Sequence, residues 1–201
     1  GNVIQGVPLD SNMDYAGNFF TLLRPFPLLI GLFGLAAILL HGAIYAAMKT
    51  EGDMQERARK LTQILWKKYA ALLVISLGVS MAIIPEAAQK WPAWVCTAIV
   101  VACLILIRVT LSRKKDGQAF LYSSLAFCGL WAIAGAVHFP NLVKASNDPA
   151  MSLTIHNSSS SELTLKVMSI IAVIGMPLVI GYTVYLYRVF KGKVKTENIS
   201  Y

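Results

Sequence analysis

Apolar and polar positions along this chain fall into long blocks. From Pro27 to Met48 no residue carries a formal charge apart from any on His41, and the block stops abruptly at Lys49-Thr50-Glu51-Gly52. A helix of that length rises about 33 Å, matching a hydrocarbon core of roughly 30 Å. Four further apolar blocks follow at 69–85, 93–111, 119–139 and 163–190. The pattern predicts five membrane-spanning helices in one domain over 27–190.

The polar intervals predict structure too. Between Lys49 and Lys68, Met54, Ala58, Leu61 and Leu65 recur at helical spacing, with acids at the start and Lys67-Lys68 at the end. That pattern is a helical extension of the flanking spans. Ser76, Gly78 and Ser80 in the second span predict close approach of a neighbouring helix. The short turn before Trp91-Pro92-Ala93-Trp94 pairs helices two and three as a hairpin. Residues 141–162 form a long loop whose 153–162 portion reads as strand-like or extended and ends in caps, with Ser160 or Ser161 placed to cap the last helix. Pro177 lies inside that helix, where a membrane span tolerates a kink.

Charge sets the orientation. Lys49, Arg57, Arg59, Lys60, Lys67 and Lys68 cluster in one interval, Arg113-Lys114-Lys115 in the next on the same side, and Arg188, Lys191, Lys193 and Lys195 at the end. Short basic loops stay on the cytoplasmic side. The expected topology therefore has 1–26 as an outer segment and 191–201 as a cytoplasmic basic tail. Composition agrees: 56% of the 201 residues are apolar, 14% are charged, and mean hydropathy is +0.60. The net charge of +8 sits at helix ends, which argues against nucleic-acid binding. Gly1 opens the chain without an initiator Met or a signal-peptide pattern, which reads as part of a longer protein.

Few residues invite chemistry. Cys96, Cys103 and Cys128 lie in apolar runs without a Cys-x-x-Cys pair and read as packing residues. Of three histidines, His41 lies about eight residues from the inner end of helix one and His138 at the outer end of helix four. Their depths differ by on the order of 20 Å, so they cannot ligate one haem iron, and His156 is in the outer loop. His41 and Arg108 are the polar intramembrane candidates: His41 for a proton path or quinone-side role or an interhelical hydrogen bond, Arg108 for interfacial snorkelling. The spans hold no buried Asp or Glu of the kind a self-contained proton or ion transporter needs. The Asn157-Ser158-Ser159 sequon carries no weight here. No catalytic, cofactor-binding or metal residue is assigned.

Several stretches, in order, resemble the second half of subunit II of the bacterial cytochrome bd quinol oxidases. They are Gly1-Asn2-Val3-Ile4-Gln5-Gly6-Val7-Pro8, Gly17-Asn18-Phe19-Phe20 with Leu22-Leu23-Arg24-Pro25-Phe26, and Gly42-Ala43-Ile44-Tyr45 leading to Lys49-Thr50-Glu51-Gly52. Phe120-Leu121-Tyr122-Ser123-Ser124-Leu125, Ser152-Leu153-Thr154-Ile155-His156-Asn157 with Ser159 to Leu165, and Pro177-Leu178-Val179 with Tyr182-Thr183 complete the set. The resemblance implies an all-α membrane protein carrying the last five of nine helices, a four-helix-bundle-like arrangement plus one further helix. It implies a non-haem subunit of an oxidase that oxidises quinol and reduces dioxygen to water. The partners would be a haem-binding subunit I carrying haem b and haem d, the missing first four helices of subunit II, the bilayer and the quinone pool. The family's acidic proton-uptake residues lie in that missing half, and none carries over. Two other readings stand beside it: half of a small transporter, which predicts inverted repeats and broken helices, and a stand-alone b-type cytochrome, which the histidine depths oppose.

Overall fold

The structure is a computed structural model and describes residues 1–190 and Gly192; the rest of the basic tail expected at 191–201 lies outside the described residues. Five long helices dominate: α1 Pro25–Lys49, α2 Gly52–Ile83, α3 Trp91–Ser112, α4 Asp116–His138 and α5 Glu162–Val189. Each is long and apolar enough to cross a membrane. Prolines at the first turns of α1 and α3 occupy positions whose missing N–H has no helical acceptor to lose. At the far end of α1 the Thr50 hydroxyl donates to Ala46 O at 2.8 Å, and Gly52 turns the chain into α2 with φ +64°, a left-handed conformation that favours glycine.

The buried positions of α2 (Ala58, Thr62, Leu65, Tyr69, Leu73 and Ser76) recur every three or four residues, giving one inward seam. With 32 residues the helix is about 48 Å long, so it runs well past a hydrocarbon core. The helical stretch expected at 49–68 and the span expected from Tyr69 are thus one continuous rod.

The first four helices form an up-down bundle. α1 packs along α2, α3 packs along α4, and α1 meets α4 to close the ring, while α2 and α3 touch only lightly. Helices two and three, expected as an antiparallel hairpin, are joined by a short turn, and their main packing partners are α1 and α4. Phe33, Leu40, Ile44, Tyr69, Leu73, Val100, Leu104 and Ile107 form the shared core. Close approach also falls elsewhere than expected. A Cβ at Gly78 would meet nothing within 4 Å, whereas at Gly129 it would lie 2.6 Å from Val100 Cγ2. The buried face of α4 carries Ala119, Ser123, Ala126 and Gly129, and these small residues let α3 come close.

This geometry puts the turns at Thr50–Glu51 and Arg113–Lys115 at one end of the bundle, hereafter the basic end. Residues 1–24 and 139–160 join over the other. Strand β1 (Asn141–Val143) pairs antiparallel with β2 (Leu153–Thr154), and Val7 bridges Ala145. Leu9 N donates to Asn147 Oδ1 at 3.1 Å, and Asn147 Nδ2 donates back to Leu9 O at 2.6 Å. A Cβ at Gly6 would stand 2.9 Å from Lys144 O, so the backbones touch there. The scattered cations at this end hold the cap: Arg24 donates to Gly6 O, Lys90 donates to Val137 O and Phe139 O at 2.6 Å each, and Lys144 pairs with Glu86 at 3.2 Å. Lys90 satisfies carbonyls that the end of α4 leaves unbonded.

α5 stands apart. Ser161 caps it, accepting from Thr164 N at 3.4 Å, and the helix continues through Pro177, yet none of its residues is buried. The protein is thus an all-α membrane fold, a four-helix bundle plus one further helix.

Candidate functional site: a polar node inside the bundle

His41 lies on α1 directly after core residue Leu40 and turns towards α4. Its Nδ1 is 2.8 Å from Ser123 Oγ, and the Ser123 hydroxyl also donates to Phe120 O at 2.8 Å. A hydroxyl has one proton to give. With that proton directed to Phe120 O, Ser123 accepts from His41, which fixes the imidazole proton on Nδ1 and leaves Nε2 as an acceptor. The ring stacks on Phe120 at 4.8 Å and meets the edge of Phe127 at 5.2 Å. The most costly polar group of α1 is therefore held by a named hydrogen bond between helices and shielded by two aromatic rings.

Arg108 is elsewhere. It is exposed on α3, with its guanidinium carbon 6.0 Å from the ring centroid of Trp66 on α2, while Trp66 Nε1 donates to Leu104 O at 2.9 Å. The aromatic face can offset part of the cation's desolvation. The fold does not bring His41 and Arg108 together. His138 lies 15 residues along α4 from Ser123, about 22 Å at the helical rise; its Nε2 donates to Leu142 O at 2.9 Å. His156 is exposed in the cap.

One ionic group was missed in the sequence. Asp116 is buried, not solvated in a basic loop: its carboxylate accepts from Arg59 Nε at 3.1 Å and Nη2 at 2.5 Å, and from Gln55 Nε2 at 3.4 Å. Gln55 also donates to Ala47 O at 2.9 Å. One cluster thus ties the end of α1, the polar part of α2 and the start of α4. The expectation that no acid is buried is corrected at this position, although Asp116 does sit at a helix end, where the amide dipoles favour a carboxylate. The signal was present: Asp116 precedes Ser123 by seven residues and shares its buried face with Ala119 and Ala126.

A haem does not fit at His41. His41 and His138 are too far apart to reach one iron, and the cavity beside His41 is about 10 Å³, far below the several hundred Å³ a group of that size fills. Among the described residues no three His, Cys, Asp or Glu side chains group to hold a metal ion.

Comparison with known proteins supplies the context. The family model for cytochrome bd terminal oxidase subunit II matches residues 1–190. The probable cytochrome oxidase subunit 2 of Haemophilus influenzae is 30% identical over 233 positions, covering 100% of this chain and 62% of the relative. Cytochrome bd-I ubiquinol oxidase subunit 2 of Escherichia coli K12 is 30% identical over 234 positions with the same coverage. Cytochrome bd ubiquinol oxidase subunit 2 of Bacillus subtilis is 29% identical over 201 positions, covering 98% of this chain and 58% of the relative. The chain spans about three-fifths of the length of these curated relatives. With a family match running across every described helix and the cap between them, the chain belongs to the cytochrome bd terminal oxidase subunit II family.

Proposed function

We propose that this chain is a non-haem membrane part of a terminal oxidase that oxidises quinol and reduces dioxygen to water. Two quinols supply the four electrons that one dioxygen takes up, and the four protons that complete two waters come from the cytoplasm. Haem b and haem d belong, in this reading, to a partner subunit I, and the remaining length of subunit II completes the complex. The observation that carries the proposal is the subunit II match over residues 1–190. The absence of a fit for haem at His41 is in keeping with it. This chain's own residues would supply packing surface, a membrane passage for protons and oxygen, and a rigid bundle locked at one end by Asp116–Arg59–Gln55 and at the other by the cap.

The proposed setting is the bacterial cytoplasmic membrane. Residues 1–26 and the 141–162 loop face the periplasm, and 191–201 continue into the cytoplasm. The cation distribution supports this: exposed Lys and Arg crowd the basic end, while Arg24, Lys90 and Lys144 at the other end are engaged in bonds to the cap. His41 serves within it as a polar link between α1 and α4, and Arg108 as a cation at the bundle's outer surface. Deleting the coding sequence should abolish quinol-dependent oxygen uptake by the membranes that normally carry the complex, and its restoration should recover the uptake. Unchanged uptake with no other quinol oxidase present would overturn the reading.

A further inference from the structure

Three polar side chains from three different helices line one small cavity in the centre of the bundle. The cavity is about 10 Å³ and is bounded by His41 of α1, Tyr69 of α2 and Ser123 of α4, with Ile107, Phe127 and Leu130 closing its apolar sides. That volume admits the centre of about one water-sized sphere. Tyr69 is 3% exposed, and its hydroxyl has no hydrogen-bond partner within the chain. A buried phenol left in that condition is costly, and native structures satisfy nearly all such groups by protein or ordered water. Ser123 Oγ, which donates to Phe120 O and accepts from His41 Nδ1, keeps one further lone pair.

We infer that this cavity is a binding site for a single structural water that joins Tyr69 to the His41–Ser123 pair. The water accepts from the Tyr69 hydroxyl and donates to the remaining lone pair of Ser123 Oγ, which already accepts from His41 Nδ1. Both of its bonds have a complementary partner, one donor and one acceptor, the lower end of the two to four contacts that hold a buried water. A dry cavity lined by these groups would leave the phenol proton stranded in the apolar core. The water makes α1, α2 and α4 one hydrogen-bonded unit at mid-bundle, where the direct His41–Ser123 hydrogen bond links α1 and α4.

The test uses the assembled complex. A structure at a resolution that shows ordered waters should contain one water within hydrogen-bond distance of Tyr69 Oη. A Tyr69 hydroxyl bonded to a side chain of another subunit, or to nothing, contradicts the site. Tyr69→Phe provides an independent reading, since it removes only the hydroxyl. With the water in place, the substitution lowers the thermal midpoint of the complex by a few degrees, because the water loses its donor. An unchanged or higher midpoint would show an unsatisfied phenol relieved and would overturn the inference. The wild-type minus Tyr69→Phe Raman difference should isolate the tyrosine doublet of a hydrogen-bonded phenol; a doublet of the unbonded form contradicts it.

Discussion

At the residue scale, the polar groups of the bundle divide by how completely they are paired. Asp116 is the sharpest case, because its carboxylate is 8% exposed and three donor groups converge on it. Removing the acid leaves Arg59 partly buried without its counter-ion. A fully buried pair broken on one side costs about 3–5 kcal/mol; Arg59 keeps 26% exposure and solvent screens part of the loss. Asp116→Ala is therefore expected to cost about 1–3 kcal/mol, read as a lower midpoint in a denaturing-detergent titration of the purified complex. A midpoint unchanged from wild type would show that the cluster is not a brace. The sequence hid this group for a physical reason. Three neighbouring cations made the local composition look solvated, although the seven-residue step from Asp116 to Ser123 puts both on one face of α4.

At the element scale, hydropathy made the helices legible and left their neighbours obscure. The five apolar blocks map onto α1 to α5, and a run such as Leu28–Leu40 is apolar on every face, as expected where lipid covers what protein does not. For that same reason hydropathy cannot say which face meets a helix. Gly78 and Gly129 both look like contact glycines in the sequence, and only the structure separates them. Gly78→Ala meets open space and gains helix propensity, so it should be neutral or stabilise by about 0.5–1 kcal/mol. Gly129→Ala drives a Cβ into Val100, which is fully buried, and should cost about 1–3 kcal/mol. The pair is measured in the same detergent titration, and equal shifts for the two would refute the packing described for α3 and α4. The cap was only partly readable: of the stretch 153–162 read as extended only Leu153–Thr154 is strand, Ser161 is one of the two residues read as the helix cap, and the reciprocal bonds between Leu9 and Asn147 join positions 138 apart, beyond the reach of local pattern.

At the scale of the whole molecule, the four-helix bundle accounts for its own interior, whereas α5 buries nothing against it. Such a helix gains its environment from lipid or from other protein, which agrees with a chain that covers about three-fifths of its relatives' length. The proposed division of labour then places electron transfer outside this chain, and its most direct test is spectroscopic. The complex should be purified from its native membrane, this chain separated from its partner, and reduced-minus-oxidised spectra recorded for both fractions. The account predicts haem bands in the partner-containing fraction and none in the isolated chain; haem bands that stay with the isolated chain, or a complex with no haem at all, would contradict it.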